Sequence, residues 1–211
     1  MRLPGPPAGL RSTGALVGVL AAATAGAGAR TYVVDASASS VRIHVGRAGA
    51  FAFAGHEHDV AAPAVRGEVV ALPGDLGASS VFLTFDAGAL VVLPDREPKG
   101  DAPKVQSAML GPGVLDVARF PSITFRSRRV VGRAAGPDAY DLEVEGEMTL
   151  RGVTRALTLP MRVELAGNVL TASGRAVLRQ KDFGMKPPSV AGLVKVKNEI
   201  AVTYRIVARG R

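Results

Sequence analysis

The strongest constraint on this chain is a strict two-residue alternation. Leu142, Val144, Gly146, Met148 and Leu150 alternate with Asp141, Glu143, Glu145, Glu147 and Thr149. In an extended strand successive side chains leave opposite faces, so this segment carries one apolar face and one acidic face that must meet water. The pattern recurs. Val41, Ile43 and Val45 alternate with Arg42 and His44, and Val81, Leu83 and Phe85 alternate with Phe82, Thr84 and Asp86. Ile123 and Phe125 continue it, as do Leu157, Leu159, Met161, Val163 and Leu165. Residues 65–72, 170–178 and 200–208 follow the same rule, which predicts about eight strands. Helical periodicity is confined to residues 104–110 and 114–117, on either side of Gly111-Pro112-Gly113. The reading is all-β, a closed antiparallel barrel or a sandwich, interrupted by a short helical insertion.

The same alternation would suit a membrane barrel with its apolar side chains turned outward to lipid. Such barrels carry aromatic girdles, whereas aromatic residues make up only 5% of this chain. Eight strands also leave too narrow a lumen to hydrate the acidic row from Asp141 to Glu147.

The first residues read as an export leader. Arg2 and Arg11 precede an uncharged run over residues 13–29, and Ala25-Gly26-Ala27 and Ala27-Gly28-Ala29 each offer a small-x-small cleavage pattern. Cleavage before Arg30 is favoured over cleavage before Gly28, giving a leader over residues 1–29 and one domain over 30–211. The run is too short and glycine-diluted to span a bilayer, so no stable membrane insertion is expected once the leader is gone. The chain has no cysteine, which excludes a lipobox, a disulfide, a thiolate nucleophile and a cysteine metal cluster.

Losing Arg2 and Arg11 lowers the formal net charge from +8 to +6. The remaining basic residues are scattered and there is no Trp, so a nucleic-acid partner is not expected. There is no Gly-x-Ser-x-Gly elbow, phosphate loop or His-Glu-x-x-His helix, and Asp182 before a glycine reads as a turn acceptor rather than a catalytic carboxylate. Arg151-Gly152 reads as a tight hairpin turn with the glycine at positive φ, and Phe120-Pro121 as the start of a strand.

His56 and His58 stand two apart and would share one face of an extended segment. They are candidates for a metal pair, with His44, Glu57 and Asp59 as the only nearby additional donors, or for contacts to a ligand headgroup at a barrel mouth. Ordinary hydrogen bonding at a strand end is the third possibility. The chemistry is too sparse to name a metal site.

The order of motifs resembles the YceI-like family of exported bacterial proteins. The likeness runs through Ser40-Val41-Arg42-Ile43, Gly55-His56-Glu57-His58, residues 118–125 (ARFPSITF), residues 150–155 (LRGVTR) and Lys181-Asp182-Phe183-Gly184-Met185. It covers residues 31–208. The resemblance implies an eight-stranded lipocalin-like barrel with a helical insertion, no cofactor and no catalytic residue, holding an isoprenoid-type lipid or quinone-like molecule in its interior. Candidate ligand contacts are then Phe85, Phe125, Met148 and Met161 on apolar strand faces, Phe183 in the last motif, and His56 and His58 at the mouth. Gly146 and Gly174, with Ala172 and Ala176, could leave room for a chain, or could simply allow tight packing and strand curvature. Two other functions remain open: a metal-dependent or hydrolytic enzyme using His56 and His58, and an envelope interaction module with a filled barrel. An unpaired strand edge or exposed apolar face would favour a homodimer.

Overall fold

A computed structural model describes residues 28–48, 57–186 and 195–211 of the chain. The leader residues 1–27 and His56 lie outside the described residues. Among the described residues eleven strands form one antiparallel sheet. They are β1 (Arg30–Val34), β2 (Ser40–Ala48), β3 (His58–Ala61), β4 (Val65–Ala71), β5 (Ser80–Asp86) and β6 (Val91–Val92), followed by β7 (Ser122–Gly136), β8 (Ala139–Leu150), β9 (Val153–Ala166), β10 (Val169–Arg179) and β11 (Lys195–Gly210). The helix α1 (Ala102–Leu110) is inserted between β6 and β7.

The strands assemble as the eight staves of a barrel, because the first three staves are each broken in two. β1 and β2 lie end to end along β11, with Tyr32 opposite Gly210 and Val45 opposite Ile200. β3 pairs with β2 and β4 with β1, while β6 and β5 pair with β3 and β4 in turn. Staves β7 to β11 follow in chain order, and the β1–β11 pairing closes the sheet. Each stave neighbours the next in sequence, so this is an up-and-down barrel. At about 3.3 Å per residue, the 16 residues of β11 run about 50 Å, long enough to serve both halves of the first stave.

Local chemistry explains the breaks. Between β1 and β2 the Asp35 carboxylate accepts hydrogen bonds from the Ser37 and Ala38 N–H groups at 3.1 and 3.2 Å, turning the chain through one 3₁₀ turn. The Arg209 guanidinium donates to its other oxygen at 2.8 Å. These bonds, first from the Ser37 hydroxyl and then from Arg209, hold the Asp35 pKa down at about 2. Arg151 and Gly152 both take positive φ, 52° and 72°, in the two-residue turn joining Leu150 to Val153. The helical reading of residues 104–110 holds within α1, but residues 114–117 form turns instead. There Asp116 sits at φ 52° and its N–H donates to Gly111 O at 2.9 Å, a geometry no helix continues. Asp182, expected to cap its turn, accepts no hydrogen bond among the described residues. The Gly184 N–H closes that turn onto Lys181 O at 3.0 Å.

Side-chain alternation survives in the barrel with one shift of phase. A bulge between Ser127 and Arg129 places Arg128 and Arg129 both on the outside, so Val130 returns to the core where strict alternation would have pointed it outward. The two arginines meet Glu147 and Glu145 at 2.8 and 3.3 Å, and Arg162 meets Asp141 at 3.0 Å, so the acidic face of β8 is bordered by cations. Pairing of β9 with β10 stops at Met161 opposite Gly174, although both strands continue beyond it.

Gly146 is held to glycine by packing. A Cβ there would come within 2.7 Å of the Phe125 ring and collide with the Arg126 carbonyl. Gly146→Leu is expected to destabilise the protein by about 3 kcal/mol, read from denaturant unfolding. The Asp35 cap makes a second prediction. Its pKa is depressed on folding, so its contribution is complete above the ordinary value of 3.8 and is lost as pH falls through about 2. Asp35→Asn should remove that component of acid sensitivity, measured as the difference between the two proteins' melting temperatures across this range.

Candidate functional site: an apolar cavity along the barrel axis

The inward residues leave two chambers. The first, about 120 Å³, is enclosed by β4, β5 and β7 to β11 and is capped by Leu72, Pro73 and Leu76 between β4 and β5. The second, about 140 Å³, lies at the α1 end, where Met109, Val114, Leu115 and Met185 complete its wall. Val41, Phe85, Met148, Leu178 and Val202 belong to both walls, so the chambers abut at a waist formed by these side chains. Each chamber is comparable to the apolar cavities that stay free of water in proteins and accept a benzene-sized guest.

The lining is almost without polarity. Ser79, Tyr140 and Tyr204 are the polar residues of the first wall, and Gln180 is that of the second. Two of these are turned to structural use. The Tyr204 hydroxyl donates to Pro160 O at 2.6 Å, and Gln180 Nε2 donates to Lys197 O at 2.8 Å. Burial pushes the Tyr204 pKa up from 10.0 to about 12. Among the described residues no carboxylate, guanidinium or ammonium reaches either wall. Such a space rewards apolar guests and penalises charged ones.

The α1 end is fastened by hydrogen bonds. Gln106 of α1 accepts from Val92 N and donates to Leu90 O, both at 2.7 Å, and so serves as the missing neighbour of the short strand β6. Arg151 reaches from the β8–β9 turn to Gly184 O at 2.8 Å and Pro112 O at 2.7 Å. One guanidinium thus ties a hairpin to both segments that border the second chamber.

The residues singled out in the sequence fall in different places. Phe85 and Met148 form part of the waist, and Phe125 and Met161 line the first chamber. Gly146 and Gly174 line neither chamber. The space a side chain would take is occupied by the Phe125 ring at the first and, within 2.5 Å, by the Tyr204 hydroxyl at the second. Ala172 and Ala176 do face the first chamber. Phe183 is buried in the core beside Met185 but does not reach the cavity surface.

The histidines do not converge. His44 is on the outward face, with Nδ1 2.7 Å from Asp59 Oδ1. His58 belongs to the inward face, with Nδ1 2.7 Å from Glu97 Oε1. Among the described residues no group of three His, Asp or Glu side chains is arranged to hold a metal. Glu97 was invisible to sequence reasoning, because it lies in an irregular stretch. Tyr204 was legible in principle, since it alternates in phase with Val202 and Ile206.

The family model described as YceI-like domain matches residues 32–208. Among solved structures, BcnA from Burkholderia cenocepacia is 20% identical with a TM-score of 0.64, over 82% of this chain and 98% of that one. A polyisoprenoid binding domain from Saccharophagus degradans, implicated in plant cell wall breakdown, is 12% identical with a TM-score of 0.63, over 85% and 98% of the two chains. The Campylobacter jejuni YceI protein is 11% identical with a TM-score of 0.52, over 70% and 81%. At such identities the shared property is the fold. No curated protein matches the sequence.

The raised Tyr204 pKa gives a checkable result. The unfolded chain ionises near 10.0 and the folded one near 12, so this residue's contribution to stability is intact below pH 10 and is lost as pH rises to 12. Tyr204→Phe should show a shallower alkaline loss of stability than the parent over that interval, measured by urea unfolding.

Proposed function

Because the chain belongs to the YceI-like domain family, matched over residues 32–208, we propose that its mature form is an exported carrier that sequesters an isoprenoid or quinone-like lipid inside the barrel. The observation that carries this reading is the succession of two apolar chambers inside the barrel that meet at the shared side chains of Val41, Phe85, Met148, Leu178 and Val202. A long, flexible hydrocarbon fits a narrow two-chamber space better than a compact rigid molecule does. Burying it gains about 0.8 kcal/mol per methylene-sized unit, so affinity needs no polar anchor. The Saccharophagus degradans relative described as a polyisoprenoid binding domain supports the same cargo class.

The leader features of residues 1–29 support an envelope location, where such lipids are at hand. The outward charges of β7, β8 and β9 support a barrel that works in water rather than in lipid. Binding without catalysis is the chemistry favoured by walls that, among the described residues, hold no acid, base or nucleophile beyond the hydroxyls of Ser79, Tyr140 and Tyr204.

Purified protein should yield a co-extracted lipid in organic solvent, identified by mass spectrometry, or take one up after delipidation. A protein that does neither is not a carrier. Val202→Trp, which fills the waist, should weaken uptake by about tenfold or more while retaining the β circular-dichroism spectrum, since overpacking of this kind costs about 1–3 kcal/mol.

A further inference from the structure

Among the described residues, one buried carboxylate is left only half satisfied by the fold. The Glu97 side chain is 1% exposed; Oε1 is held by His58 Nδ1 at 2.7 Å, and Oε2 is buried with no hydrogen-bond partner. Buried carboxylate oxygens are almost always satisfied, so an orphan calls for a missing donor. Its position relative to the cavity follows from strand register. Ile43 pairs with Val60 and Val45 with His58, and Ile43, Val45 and Val60 all line the second chamber. His58 is one same-face step from Val60, about 7 Å along β3. The His58–Glu97 pair therefore lies one step beyond the chamber wall at Val60 and Val45, though neither side chain is part of the lining.

We propose that Glu97, oriented by His58, is the acceptor for a hydroxyl headgroup on the carried lipid, which selects neutral prenyl alcohols or quinols over capped, oxidised or phosphorylated forms. The idea presupposes the carrier reading and adds the identity of the head. A carboxylate can only accept, so the ring donates from Nδ1 and the free oxygen is left to seek a donor from outside the protein. A metal ion is a poorer occupant, because among the described residues no third acid or histidine joins the pair in a metal-sized group. A phosphate head would bring like charge against a buried carboxylate. A lipid hydroxyl supplies one donor and no charge, while its chain continues into the chamber.

The test compares affinities of the purified protein for farnesene, farnesol, farnesyl methyl ether and farnesyl phosphate, and for a prenylquinone in its oxidised and reduced forms, by displacement of a fluorescent apolar probe. The expected result is a preference of about tenfold for the alcohol over the ether or for the quinol over the quinone, the size of one hydrogen bond to a charged group. The phosphate should bind more weakly than the alcohol. Whichever hydroxyl pair discriminates identifies the headgroup source. In Glu97→Gln the phosphate penalty should disappear and the alcohol preference shrink; if that variant does not fold, the parent comparisons still decide. Equal affinity within both hydroxyl pairs, or tighter binding of the phosphate, overturns the headgroup role and leaves the carrier intact. Failure of every probe, farnesene included, overturns the carrier reading itself.

Discussion

The structure depends on β11 having neighbours along both of its sides. Over its length it pairs with β10 on one flank and with β2 and then β1 on the other. That single strand closes the sheet upon itself, leaving only the two-residue β6 as an edge, and only a closed sheet has an inside. A sandwich built from the same alternating segments would press its two apolar faces together at about 10 Å and leave no axial space. Closure is what turns a pattern of apolar residues into a container, and the container's size then depends on how completely side chains fill it.

Filling is uneven by design of the sequence. At Gly146 and Gly174 the backbone gives up its own side chain so that Phe125 and Tyr204 can lean across, which narrows the first chamber instead of widening it. At Ala172 and Ala176 small side chains face the space directly and keep it open. Glycine and alanine, grouped together when only the strand is known, thus have opposite effects on the cavity. The difference lies in the cross-strand partner: Gly174 is opposite Tyr204, whereas Ala176 is opposite Val202.

Much of the architecture was legible because the apolar alternation of each stave is imposed by burial, and burial repeats on every stave. What escaped was whatever burial does not set locally. β1, β3 and β6 are 5, 4 and 2 residues long, too short for alternation to register, and they matter only as continuations of other strands. The bulge at Arg128 changes phase within a strand, and nothing in the local sequence announces it. The register that sets Arg128 and Arg129 against Glu147 and Glu145 is a property of two strands together. For the site, the wall residues Phe85, Phe125, Met148 and Met161 followed from periodicity. The pairing of His58 with Glu97, 39 residues away and outside any strand, did not.

The ladder between β9 and β10 ends at Met161 and Gly174, and past that level the two strands diverge with no backbone bond between them. Around most of the rest of the wall, spreading neighbouring strands would cost a series of peptide hydrogen bonds, the outer edge of β6 apart, which meets the Gln106 side chain rather than a strand. Near the fork the Tyr204 hydroxyl donates to the Pro160 carbonyl, a side-chain latch from β11 across to β9. The barrel therefore has a soft seam running alongside Leu157, Leu159, Ala176 and Leu178 of the first chamber. A wall laddered along most of its joints, but open beside part of β9 and β10 and beside β6, can change girth at those two places without unravelling the rest.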